Sequence, residues 1–482
     1  MTAEKTKRVW RRALLPAAAV MVIWTAVFAG ASGGTGTSRA AIEDIVAGHA
    51  ALRASGDWLA FSCVQWDEGA LLVAAATPES VLRAHLLSLR TSGPHLNYAY
   101  NNRLTATSTD GAIQPRQAIT ITYSFLPDGT IIPGAPFAGD STSPSELFAL
   151  LDANFPGGRD AWKAAFAQAF GRWGELTGIT FVETADDGAP FPSSAGAVGV
   201  RGDVRIGMHP IGPQGAAYNY FPNVSDLVLD SQDLSYWINP YENFRLLRNV
   251  VMHEHGHGLG LNHVEPRDHT KLMEAVSGTW FDGPQQDDIR GAQREYGDPS
   301  EANDSPAEAT DLGTAVQGLN LINHSIEDNA LNDYYRFFVP ARATLAVTLT
   351  PVGTTYTVGP AGGTTAPVDA LRIHDLAFQL LASDGSTVIS HRNAGGPGEP
   401  ESLASSSPGE GFYYLRVFAT TTTDDVQRYE LRIEAREPPT AQQVVDHILE
   451  RAALTPEQQA DADRNANNRI ETGDVILAIL GL

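Results

Sequence analysis

The residues with the clearest chemical spacing are His253, Glu254, His257 and His263, in the run His253-Glu254-His255-Gly256-His257-Gly258-Leu259-Gly260-Leu261-Asn262-His263. Residues four apart share one face of a helix, so the imidazoles of His253 and His257 can reach a single metal ion. Glu254 sits one step round, close enough to take a proton from a water held there, as a general base must. Gly260 follows three residues after His257, where a helix can stop in a left-handed turn that glycine adopts without cost. The chain then doubles back and His263 arrives as a third nitrogen ligand. Three protein ligands leave a fourth position for water, which a catalytic rather than a structural zinc requires. H-E-x-x-H is a zinc signature with the glutamate as base. His255 points to another helix face and is read as a non-ligand.

Those residues need a scaffold, and the chain is long enough for about three domains. Its net charge is −23 with only 18% charged residues, which excludes the cationic footprint of a nucleic-acid binder. The acidic excess fits a secreted protein with calcium sites. Cysteine occurs once, at Cys63, so no intramolecular disulfide forms.

Residues 1–31 read as a signal peptide. Lys5, Lys7, Arg8, Arg11 and Arg12 precede an apolar run that ends in Ala29-Gly30-Ala31. Export is expected, with no stable membrane span after cleavage; a signal anchor on the outer face of the cytoplasmic membrane is the alternative. Residues 32–101 resemble a propeptide. Helical spacing runs from Ala41 to Leu52 and, capped by Thr77-Pro78, on to Leu89, with strand-like sequence between Trp58 and Val73. Cys63 is a candidate zymogen thiol for zinc's open position, although a lone cysteine in apolar sequence is more often a buried small side chain.

From about Asn102 the texture is that of a mixed sheet carrying helices. Ala118–Phe125, Ile179–Val182 and Val204–Gly207 alternate as strands. Pro144–Leu151 looks helical, and Gly158–Thr177 carries one apolar face of Trp162, Ala165, Phe166, Ala169, Phe170 and Trp173.

Residues 103–297 resemble a matrixin-like catalytic domain of the metzincin class. Four blocks carry the likeness: Ala216–Pro222, Asp226–Asp230, the zinc helix with Met273 as Met-turn, and Asp287–Gly297. The resemblance implies an α+β zincin-like domain at 102–298, with a five-stranded twisted mixed sheet and three helices. Substrate would lie antiparallel to an edge strand at Gly215, Ala216, Ala217 and Tyr218. It also implies calcium near Asp226 and Asp230, with Asp233 as a further donor. Two departures stand out. The family's structural-zinc histidines fall on Tyr218 and Val228, so that second zinc is not expected. The usual proline–tyrosine pocket wall reads Glu274-Ala275-Val276-Ser277, so the pocket is expected to differ.

Residues 299–309 read as a linker. Residues 310–438 are a series of short strands with Gly/Asp turns, an all-β sandwich that resembles the pre-peptidase C-terminal domain. Residues 439–482 resemble a small dockerin-like helix-loop-helix. Its calcium donors would be Asp463, Asn465, Asn467 and Asp474, and a cohesin-like or cell-surface partner is implied. The expectation is a secreted zinc endopeptidase acting on protein or peptide substrates, with one catalytic zinc and structural calcium. The competing reading is a surface or extracellular-matrix binding protein. In it the C-terminal units dominate and the protease unit is inactive or only self-processing.

Overall fold

The computed structural model describes residues 61–65, 69–74, 103–135, 138, 140–211, 216–328, 331–360, 364–406, 408–464 and 469–480. The signal peptide, the helices expected at Ala41–Leu52 and Thr77–Leu89, Gly215, Asn465 and Asn467 lie outside the described residues, as does the side chain of Cys63.

The α+β region follows in chain order. It comprises β1 (Phe61–Gln65), β2 (Gly69–Ala74), β3 (Ile119–Phe125), α1 (Leu147–Asn154), α2 (Gly158–Gly174), β4 (Ile179–Glu183) and β5 (Val204–His209). Then come β6 (Ala217–Tyr220), β7 (Leu227–Asp230), α3 (Arg245–Gly258), β8 (Val264–Glu265), β9 (Val276–Ser277) and α4 (Gln286–Tyr296). The expected five-stranded mixed sheet is present in the order β6-β7-β5-β3-β4, with β6 antiparallel to its neighbour and the rest parallel. It is not the whole sheet. Hairpin β1–β2 and strand β9 extend it to eight strands, ordered β9-β1-β2-β6 beyond the expected edge. Helices α2, α3 and α4 are the three long ones, and α1 and a single turn at Leu234–Trp237 are additional.

Helix α2 forms where the periodicity places it. It starts from Gly157 in a left-handed conformation and has Asp160 in its first turn and Arg172 in its last. Trp162, Phe166, Phe170 and Trp173 are buried against the sheet, where Tyr123 stacks on Phe170. The Trp173 indole N–H donates to the Met252 carbonyl at 3.1 Å, tying α2 to the helix that carries His253 and His257. Truncating such a buried tryptophan to alanine costs roughly 3–5 kcal/mol.

The sandwich region begins at β10 (Thr310–Thr314). It continues through β11 (Leu319–Ile326), β12 (Asn332–Val339), β13 (Thr344–Val352), β14 (Thr355–Pro360), β15 (Ala366–Asp369) and β16 (Leu376–Leu381). Its last strands are β17 (Val388–Arg392), β18 (Glu401–Ser406), β19 (Gly411–Ala419) and β20 (Gln427–Arg436). One sheet is ordered β10-β12-β19-β16-β17 and the other β11-β20-β13-β18. Strand β12 alternates buried and half-buried side chains, the period of a strand with one face on a core. The series of short strands expected over 310–438 is present, with Tyr334–Val339, Leu345–Leu349, Leu376–Leu381, Gly411–Val417 and Tyr429–Ile433 all in strands.

Within the stretch read as a linker, Glu301 and Asn303 are buried, as is Asp298 just before it. Glu327 and Asp333 of the sandwich are buried beside them. Burial, then repulsion from Asp298, raises the Glu301 carboxyl to about 8. The carboxyls of Glu327 and Asp333 are likewise pushed well above the ordinary range. Three helices close the chain, α5 (Ala441–Ile448), α6 (Pro456–Ala462) and α7 (Thr472–Leu480). Helices α5 and α6 each start in a capping box, Thr440 with Gln443 and Thr455 with Gln458. No helix of the described residues is long and apolar enough to cross a membrane.

Candidate metal centre

Helix α3 has no side-chain cap and starts from Phe244 in a left-handed conformation. Packing rather than capping holds it, since every residue from Leu246 to Gly258 is buried. The helix gives way after His257. Gly260 takes φ 97°, and the Leu261 amide turns back to the Gly256 carbonyl at 2.9 Å. That reversal is the turn expected from spacing, and it delivers His263.

His253, His257 and His263 each offer a nitrogen, and the three atoms lie within 4.8 Å of one another. Among the described residues no other group of histidine, cysteine and carboxylate side chains comes together in this way. Two of the rings are oriented from behind. His253 Nδ1 faces the Leu272 carbonyl at 2.6 Å and His257 Nδ1 faces the Leu261 carbonyl at 2.8 Å. Each ring therefore turns Nε2 toward the others, the tautomer that a backbone carbonyl selects for a metal-ligating histidine. His257 Nε2 and His263 Nε2 stand 3.1 Å apart. The His253 Nε2 atom is buried and has no hydrogen-bond partner. Burial lowers the His253 imidazole to about 4 and keeps His257 and His263 neutral as well, the state that binds a metal. A three-nitrogen buried set fits zinc with one open position.

Glu254 lies in the same helix turn, fully buried, with neither carboxylate oxygen partnered, and burial raises its carboxyl well above the usual range. His255 projects elsewhere, into the aromatic core, where its ring packs edge-to-face with Phe170 and Phe181, ring centres 4.9 and 5.2 Å apart. Met273 packs beneath the helix at Gly256, where a Cβ would stand 2.5 Å from its sulfur. Gly256 is the residue that sequence reasoning missed; a glycine in mid-helix beside the motif was its signal.

The wall beyond Met273 is built differently from an open loop. Glu274 is buried and accepts the amides of His269, Thr270 and Lys271 at 2.7–2.9 Å, with the Lys271 ammonium at 3.2 Å. Asp288 of α4 accepts the amides of Leu272 and Met273 at 2.6 and 2.9 Å and so anchors this turn to the last helix. Neither role was visible in the sequence, since both join a carboxylate to amides across a loop.

The remaining site residues fall elsewhere. Ala217 and Tyr218 lie in β6 and Ala216 directly before it, but β6 is not an open edge, since β2 pairs with it antiparallel, Leu72 opposite Ala217 and Leu71 opposite Tyr218. The Tyr218 hydroxyl donates to Asp140, which also contacts His209 at 2.7 Å. Asp226 accepts the Arg205 amide at 2.8 Å, and Asp230 accepts those of Ile211 and Gln232. With Asp233 they form no cluster around one point. Asp474 accepts the amides of Arg464 and Glu471, both at 2.8 Å, and with Asp463 belongs to no described cluster.

Fold and centre together define a zinc-metallopeptidase unit. Residues 148–297 match the family described as Matrixin, and the chain carries a matrixin-type zinc-dependent endopeptidase domain there. Interstitial collagenase of Oryctolagus cuniculus is 34% identical over 149 residues, which is 30% of this chain and 29% of that protein. Metalloendoproteinase 5-MMP of Arabidopsis thaliana is 28% identical over 154 residues, 29% of this chain and 40% of that one. The chain thus spans well under half the length of these relatives. Among solved structures, the pre-peptidase C-terminal domain of a collagenase from Bacillus anthracis is similar to 26% of this chain and 94% of that domain. Identity there is 16% and the TM-score 0.18.

Proposed function

We propose that the whole protein is an exported zinc endopeptidase that cleaves extended segments of protein substrates and is made in a latent form. The observation that carries the reading is the convergence of three buried imidazoles beside a buried, unpartnered carboxylate, Glu254. Zinc bound by His253, His257 and His263 supplies Lewis acidity, polarising a carbonyl and acidifying water. Glu254 is the general base that takes the proton of the attacking water and returns it to the leaving amine. The carbonyls of Leu272 and Leu261 hold the His253 and His257 rings in place through their Nδ1 atoms. Met273 supports the helix from below without joining the reaction.

Latency is supported by hairpin β1–β2, which lies between β6 and β9 and covers the edge where an extended substrate strand would pair. Cys63 sits in β1, which pairs with β2 and β9 rather than with β6. The calcium reading for the tail, through Asp463, Asn465, Asn467 and Asp474, and a cohesin-like partner rest on loop spacing alone.

The test is cleavage of unstructured casein by the exported chain, with and without a zinc chelator, beside Glu254→Gln. Chelator-sensitive cleavage that the variant loses, preceded by removal of residues before about 100, is the expected result. A chain that binds one zinc, has lost its N-terminal region and still cleaves nothing overturns the reading.

A further inference from the structure

Hairpin β14–β15 belongs to neither sheet of the sandwich. With β8 it forms a separate three-stranded sheet ordered β8-β14-β15. Strand β8 is the two residues that follow His263, and it pairs antiparallel with β14, Val264 opposite Pro360 and Glu265 opposite Gly359. On its other side, Val264 donates its amide to the Met273 carbonyl at 3.0 Å and bridges to Glu274. The stretch leaving the third ligand is therefore held between the turn at Met273 and a strand that the sandwich sends across.

A second tether starts from the same hairpin. The Tyr356 hydroxyl donates to Asp287 at 2.8 Å and accepts from the Arg290 guanidinium, both on α4. The next residue, Asp288, holds the amides of Leu272 and Met273. Both routes end on residues 264–274. Gly359 lets the hairpin close, because a Cβ there would stand 2.3 Å from the Thr364 carbonyl oxygen.

We propose that hairpin β14–β15 is a clamp that positions the third metal ligand, so that the sandwich region sets the geometry of the metal centre. A two-residue strand has too few bonds of its own to stay ordered, and its partner strand supplies the order. Tyr356 and Gly359 are positioning residues in this scheme, since they act on His263 through β8 and α4. The effect on turnover rests on the endopeptidase reading above; the effect on metal retention does not.

Three variants of the full zinc-loaded chain test it: residues 356–368 replaced by a short Gly-Ser turn, Gly359→Val, and Tyr356→Phe. Zinc loss to an excess of fluorescent chelator should be about 10-fold faster in the first two, with Tyr356→Phe between them and the parent. Amide hydrogen exchange should speed up over residues 261–274 and stay unchanged in α2. Turnover of a casein peptide should fall in kcat while KM stays within about twofold. If the replacement chain fails to fold, Gly359→Val and Tyr356→Phe decide. Unchanged zinc loss and unchanged exchange over 261–274 would overturn the clamp, and so would faster exchange throughout α2 and α3. A parent chain that holds zinc yet cleaves no protein would sink the endopeptidase reading, and zinc loss would still judge the clamp.

Discussion

Helix α3 buries His253 and Glu254 with the His253 Nε2 atom and both Glu254 carboxylate oxygens unpartnered. Helix α4 buries Asp288 and Arg290 with every group engaged. Asp288 accepts three amides, from Leu272, Met273 and Gln285. Arg290 reaches Val426, Asp425 and Tyr356. Leaving a buried polar group unsatisfied costs about 1–3 kcal/mol, more for a charge. The α4 set avoids that cost and acts as scaffold, while the α3 set carries it and is available to a metal and a substrate. Burial alone does not separate these two sets of side chains; the state of their hydrogen bonds does, although α4 also buries Gln286 Nε2 and Gln293 Oε1 unpartnered.

The largest effect should come from the unpartnered carboxylate. Glu254→Gln should lower kcat by about 10³-fold, the scale of a lost general base, while zinc stoichiometry and melting temperature hold steady. A variant that keeps its turnover would remove the functional half of the contrast. On the scaffold side, Asp288→Ala strands the amides of Leu272, Met273 and Gln285. Urea unfolding should register a loss of roughly 3 kcal/mol. A change below the error of that measurement would mean the saturated network contributes nothing. Gly256→Ala probes the seam between helix and turn. Its Cβ meets the Met273 sulfur at 2.5 Å, so stability should drop by about 1–3 kcal/mol, with faster zinc loss.

The smallest effect concerns Glu301, a buried carboxyl neither fully paired nor near the centre, with Oε2 unpartnered. Burial raises it in the folded chain from an ordinary 4.5 to about 8. The folded state thus prefers the protonated form. Its stabilising contribution is complete below the unfolded value and is lost as pH rises through the folded one. The melting temperature should fall across pH 5 to 8, and Glu301→Gln should flatten that slope. Equal slopes in parent and variant would assign the pH dependence to other groups.

The centre was legible because its geometry is local. Two histidines four apart lie on one helix face in any context, and a left-handed Gly260 reverses the chain within one turn. The aromatic face of α2 was legible for the same reason, since a 3.6-residue period survives any partner. The sandwich was legible as a run of strands but not as an arrangement. Strand β12 shows its alternation plainly, whereas β14 and β15 carry no period that marks them as an excursion toward β8. The tail was legible as helix-loop-helix, to which α6 adds a helix.

What the sequence by itself determined is the set of short-range relations: which residues share a helix face, where the zinc helix stops, and which strands alternate. These follow from bond geometry and side-chain period within a turn or two of chain. What only the tertiary structure decided is who meets whom across long separations. Strand β2 lies on β6, β14 lies on β8, Glu274 and Asp288 collect the amides around Met273, and Gly256 stands over that methionine. A backbone hydrogen bond has no side-chain signature, and a two-residue strand has no period to read. Those pairings become fixed only when the packed cores bring distant segments into register.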